Sequence, residues 1–201
     1  KLMADLRLSF QGCKEIIDLS LEWSSSGEVP CLEFLTFLSL NFDGCHQISD
    51  QDILKLSSQG IKHFKSLTAL HLSFGGDMAC YITNYGIQCL CREGISYLSS
   101  LASLSLNFHI RGGLSDQGFE SLCGEGIQHL EALTSLELIS RGENRITEKG
   151  MKSIAFKGMP RLVLLENLQL PLIQTVTSSS SIYSAFIKTL RYFGLIKTDR
   201  K

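Results

Sequence analysis

One short apolar phrase recurs along this chain at a nearly fixed interval, and that recurrence limits the possible folds more than any other feature. It reads "MADLRLSF" from Met3, "LTFLSLNF" from Leu35, "LTALHLSF" from Leu67, "LASLSLNF" from Leu101, "LTSLELIS" from Leu133 and "LENLQLPL" from Leu165. The starts are spaced by 32, 32, 34, 32 and 32 residues. A period of that size marks an array of stacked units, none of which can bury its apolar face alone.

Within the phrase, apolar residues hold the first, fourth and sixth positions, as in Leu35, Leu38 and Leu40. Alternation around the fourth and sixth predicts a short strand with one buried face. Phe10, Phe42, Phe74 and Phe108 continue it at the eighth position. A row of aromatics could form a ligand cage, but their parity puts them on the leucine side, where stacked core is expected.

A second phrase lies between the strands: "ISDQDILKLSSQGIKHF" from Ile48, "ITNYGIQCLCREGISYL" from Ile82, "LSDQGFESLCGEGIQHL" from Leu114 and "ITEKGMKSIAFKGMPRL" from Ile146. In the first copy Ile53, Leu56, Ile61 and Phe64 recur at near-helical intervals and predict one apolar stripe. Ser49, Thr83, Ser115 and Thr147 precede the stripe, where a hydroxyl can accept a bond from free backbone N–H groups. Gly60, Gly94, Gly126 and Gly158 recur within the pattern or at its end. A mid-helix glycine costs about 1 kcal/mol relative to alanine, so its reuse implies either close packing or a break between two short helices.

Leu-x-x-Leu-x-Leu followed by Ile/Leu-Ser/Thr-Asp-x-Gly and a helix resembles the leucine-rich repeats of the ribonuclease-inhibitor type, over about residues 3 to 170. The resemblance implies an α/β fold: a right-handed solenoid of strand-loop-helix repeats, with a curved parallel sheet and the helices outside. Six strands about 4.8 Å apart would make a sheet roughly 25 Å wide. The sequence departs from the family in two ways. The usual Asn at the ninth position is replaced by Gln11, Asp43, Gly75, His109 and Arg141, while Asn41 and Asn107 stand at the seventh. The repeats are also a few residues longer than the type, mostly after the strand.

Residues 1–172 are read as one array of about six repeats. The first is degenerate, with Trp23 and Pro30 breaking its helical pattern. Its lack of a polar cap suggests further repeats or another domain before it. After Leu172, "QTVTSSSS" is a polar break, and "IYSAFIKTLRYFGLI" reads as a helix with Ile182, Phe186, Leu190 and Phe193 on one face. Residues 173–201 are expected to cap the last repeat, which an array requires; a partner-binding or membrane-surface helix is the alternative.

A net charge of -1 gives no bulk attraction to nucleic acid or anionic membrane. No run approaches the roughly 18 apolar residues of a membrane span. The odd cysteine count, seven, without a small disulfide framework, fits a reducing compartment and a cytoplasmic location. Cys13 and Cys45 occupy equivalent positions, as do Cys91 and Cys123, and both pairs are read as thiols rather than disulfides.

Catalytic signatures do not emerge. "GLSDQG" from Gly113 and "GDMACYITNYG" from Gly76 have no following Gly-Lys-Ser/Thr, and the five histidines have no evident nucleophile partner. No CxxC-type spacing suggests zinc. The chain is therefore read as non-enzymatic, without metal or cofactor.

The third, fifth and seventh strand positions face away from the leucines and line the concave face in the resembled family, where large partners dock. Here they carry mostly small and hydroxylic residues, so either a solvated face or a docking surface is consistent with them. If a protein partner docks there, Arg7, Phe37, His71 and Glu137 are expected to set specificity, beside Ser39, Asn41, Ser105 and Asn107. Asp43, Asp77, Arg111 and Arg141 in the strand-following loops would tune the choice. The expected function is a protein-interaction module or scaffold. Relatives of the resembled type include regulators of small GTPases and substrate-recognition subunits of ubiquitin ligases, and a structural spacer in a larger assembly is a further alternative.

Overall fold

A computed structural model describes residues 4–13, 34–75, 81–109, 114–141 and 145–169. Six strands form one all-parallel sheet in chain order: β1 Asp5–Ser9, β2 Phe37–Asn41, β3 Ala69–Phe74, β4 Ser103–His109, β5 Ser135–Arg141 and β6 Asn167–Gln169. Parallel neighbours need a crossover, and helical segments supply it from β2 to β6. These contain α1 Asp50–Lys55, α2 Asn84–Glu93, α3 Asp116–Ser121 and α4 Glu148–Ser153. Most of the first repeat's helical phrase and the expected cap at 173–201 lie outside the described residues.

Pairing keeps the phrase in frame. Leu38, Leu70, Leu104 and Leu136 are successive register partners, and so are Leu40, Leu72, Leu106 and Leu138. All eight are buried to 2% or less, and each contributes about 1.5–3 kcal/mol by leaving water. Phe10, Phe42, Phe74 and Phe108 stack as expected, with successive ring centroids 5.2, 5.2 and 5.7 Å apart. The predicted helical stripe Ile53, Leu56, Ile61 and Phe64 is buried in the same core.

The recurring glycines do both things the sequence left open. α1, α3 and α4 widen into single π-helical turns, Leu56–Gly60, Leu122–Gly126 and Ile154–Gly158, before a short 3-10 turn. The change of helix type falls at the glycine, so it marks a break. It is also a close contact: a Cβ on Gly126 would stand 2.9 Å from the Cys91 sulfur of the preceding repeat.

A bond between repeats marks where α2, α3 and α4 begin. The Asp50 carboxylate accepts both the N–H and the hydroxyl of Thr83, each at 2.7 Å. Asp116 does the same for Thr147 at 2.6 Å and accepts the Gly150 N–H at 3.1 Å. Asn84 Oδ1 accepts the Ser115 N–H at 3.1 Å. Each carboxylate or amide stands where a side chain on the next unit's glycine would be, at Gly86, Gly118 and Gly150. In α1 that position carries Asp52, which instead accepts the N–H and hydroxyl of its own Ser49, at 2.9 and 2.6 Å. The expected hydroxyl caps are present at Thr83 and Thr147, which accept the N–H groups of Tyr85 and Lys149. Ser49 and Asp52 form a capping box, each side chain accepting from the other's backbone N–H, whereas Ser115 makes no side-chain cap bond.

Candidate partner-binding face

Burial along β2 and β3 alternates residue by residue, so leucines point into the core while the intervening side chains stay half-exposed. Three columns run across this open face. The first is Asp5, Phe37, Ala69, Ser103, Ser135 and Asn167, and the second is Arg7, Ser39, His71, Ser105, Glu137 and Gln169. The third is Ser9, Asn41, Ser73, Asn107 and Ile139. All eight candidate residues therefore stand on one face, in two adjoining regions with different chemistry.

The first region is built around Phe37. The Arg7 guanidinium lies 4.3 Å from the centre of its ring, and the His71 ring centroid is 5.3 Å away, tilted by 33°. Phe37 is half-buried between them and acts as a support for two polar heads more than as a free aromatic anchor. Such a cation–π contact contributes about 0.5–1 kcal/mol at an exposed site. Further along the same column, the Ser105 hydroxyl donates to Glu137 Oε2 at 2.6 Å.

The second region holds the strand ends together. Asn41 Oδ1 accepts the Asp43 N–H at 2.8 Å, and Asp43 Oδ1 accepts the Ser73 hydroxyl and the Gly75 N–H, each at 2.6 Å. Asn107 Nδ2 donates to Ser73 Oγ at 2.9 Å. Asn41 and Asp43 thus accept backbone N–H groups where the strand turns away, the work of the absent ninth-position Asn, whereas Asn107 braces Ser73 and its buried Oδ1 has no hydrogen-bond partner among the described residues. Gly44 completes the turn with φ 76, a left-handed conformation that suits glycine. Arg141, expected in a loop, is the last residue of β5, with His109 of β4 as its register partner, because those two strands run two residues longer than β2. Asp77 and Arg111 lie outside the described residues.

Sequence reasoning missed the Asp50, Asn84 and Asp116 ladder. Its signal was legible: an acid or amide follows the Ser/Thr, and a glycine stands two positions further on in the next copy. It also missed the hydroxyls of Thr36, Thr68 and Thr134, which donate to the carbonyls of Ala4, Thr36 and Ala102 one repeat earlier.

Other groups offer less chemistry. Cys13, Cys45, Cys89, Cys91 and Cys123 are free thiols. Burial pushes Cys91 and Cys123 well up, and Cys45 and Cys89 up, so none of these four is an activated nucleophile. A hollow of about 510 Å³ on the helical side is lined by Gln88, Gln117, Glu120, Glu125, Gln128 and Lys157, among others. Its charges are largely matched: Lys157 pairs with Glu120, while Glu125 takes Gln88 and Arg92, each at 3.1 Å. The Lys157 ammonium holds the Glu120 carboxyl below its ordinary range. Among the described residues no group of three or more His, Cys, Asp and Glu is placed to hold a metal ion, and no helix is long and apolar enough to cross a membrane.

No family model matches the chain, and no curated protein matches it either.

Proposed function

We propose that the chain is a leucine-rich repeat solenoid of the ribonuclease-inhibitor type, acting as a non-enzymatic module that docks a protein partner on the open face of its sheet. The observation that carries this reading is the division of labour within each strand. One side is a uniform leucine core, and the other presents Arg7, Phe37, Ser39, His71 and Glu137, which differ from repeat to repeat. A merely structural face has no need of that variety, whereas recognition depends on it. The in-frame register and the sequential order of the strands support the solenoid reading. The five free thiols support a reducing, cytoplasmic setting.

Site-specific photo-crosslinking tests the proposal. A photoreactive side chain at Ser39 on the open face is expected to trap a defined protein from the source cells, identified by mass spectrometry. The same group at Gln88 on the helical side should trap little of it. Adducts at Gln88 with none at Ser39 would overturn the reading.

A further inference from the structure

This inference rests on the docking reading above and gives the partner its chemistry. Arg7, Ser39 and His71 are successive register partners on β1, β2 and β3, so their side chains follow one another at about 4.8 Å steps. Phe37 steadies the two ends of that row, with Arg7 at 4.3 Å and His71 at 5.3 Å from its ring. A guanidinium held over a ring directs its N–H groups outward in its own plane, where they match the two oxygens of a carboxylate. Among the described residues Arg7 has no ion pair and the Ser39 hydroxyl has no hydrogen bond. Arg7, Ser39 and His71 therefore offer a cation, a hydroxyl and an imidazole over one apolar support.

Further along, the same row carries the opposite sign at Glu137. Ser105 donates to one oxygen of Glu137, which leaves the other carboxylate oxygen to accept from a visitor. A phosphate backbone or an anionic lipid surface would be attracted at Arg7 and repelled at Glu137. A peptide of mixed charge satisfies both.

We propose that the open face binds an extended peptide segment lying across the strands. Its Asp or Glu sits over Ser39 between Arg7 and His71, and its Lys or Arg pairs with Glu137. From Ser39 to Glu137 is three strand steps, about 14 Å at about 4.8 Å each. An extended chain advances about 3.4 Å per residue, so the acidic and basic residues of the segment stand about four positions apart.

Fluorescence anisotropy on the full chain tests this with ten-residue labelled peptides on a serine–threonine background. Two carry Glu and Lys four positions apart, one in each order, because the segment can run in either direction. Two controls carry Glu–Glu or Lys–Lys at the same positions. One mixed peptide is expected to bind at least tenfold more tightly than either control. Arg7→Gln and Glu137→Gln should each bring it down to the control level, with circular dichroism unchanged. Arg7→Glu combined with Glu137→Lys should transfer preference to the other order. The proposal is overturned if like-charged peptides bind as well as mixed ones, or if Arg7→Gln and Glu137→Gln leave mixed binding unaltered. Should the Ser39 crosslinker still trap a partner in that case, the charge pattern alone falls; should it trap none, the docking reading falls as well.

Discussion

On the buried side of the sheet, Leu38, Leu70, Leu104 and Leu136 make a row of one residue type, whereas the neighbouring row on the open side reads Arg7, Ser39, His71, Ser105, Glu137 and Gln169. Backbone register is common to both rows, so the difference lies wholly in what the side chains meet. A leucine between two leucines has one good solution, and each copy repeats it. A side chain facing solvent is not held to a repeat by packing, so its departure from the pattern is where selection for a partner can act. Repetition here encodes the fold, and its interruption marks the candidate site.

The sharpest way to break the comparison is to remove a buried copy and an edge copy of the same residue. Phe74 is fully buried between two stacked rings, while Phe10, just after β1, has an aromatic neighbour on one side and is only partly buried. Phe74→Ala is expected to cost about 3–5 kcal/mol, a large share of a typical domain's total stability of about 5–15 kcal/mol. Phe10→Ala should cost distinctly less, because its ring leaves less water behind and opens no closed cavity. Urea denaturation of both variants measures the gap. Equal losses would mean that the stack is not the continuous core it appears from its geometry.

The ladder between repeats allows a finer test, because it predicts a change of sign. In the wild type, Gly86→Ala forces the Asp50 carboxylate away from the Thr83 N–H and hydroxyl, at a cost of about 1–3 kcal/mol. In an Asp50→Ala background that obstruction is gone. The remaining tight neighbour is the Ile82 Cγ2 methyl, 3.1 Å from the new Cβ. There Gly86→Ala is expected to gain up to about 1 kcal/mol through helix propensity. Additive effects in the double-mutant cycle would show that Asp50 and Gly86 do not act as a pair. Asp52 already illustrates the other solution. Gly86→Asp with Asp50→Ala should recover part of the lost stability by self-capping, as at Ser49.

How far the sequence could be read follows the same division. The strand phase, the phenylalanine stack and the Ile53, Leu56, Ile61 and Phe64 stripe were legible because periodic burial depends only on residue parity and spacing. The helix breaks at Gly60, Gly126 and Gly158 were not, since glycine reports a need for space or freedom without saying which. The roles of Asp43 and Asn107 depend on contacts across 30 or more residues, Ser73 to Asp43 and Asn107 to Ser73, and local pattern does not contain those. On the open face the sequence could name Arg7, Phe37, His71 and Glu137. It could not show that Phe37 lies between Arg7 and His71, because that depends on the diagonal approach of side chains on three strands.

The smallest expected effect on folding belongs to the residues with the largest expected effect on binding. Arg7 is exposed and Glu137 is half-exposed, with a single serine partner. Arg7→Ala and Glu137→Ala should each shift unfolding free energy by no more than about 1 kcal/mol, the scale of one exposed cation–π contact or one half-exposed polar contact. Salt separates the two faces further. Raising ionic strength from about 0.1 M to about 1 M shortens the Debye length from about 10 Å to about 3 Å. The Arg7, His71 and Glu137 contacts with a mixed-charge peptide should weaken steeply over that range, while the leucine and phenylalanine rows keep the protein folded. Anisotropy and circular dichroism recorded on the same samples would show binding falling with the fold intact. Loss of both signals together would mean that Arg7 and Glu137 also support the fold, and that the division between the two faces is less complete than their register suggests.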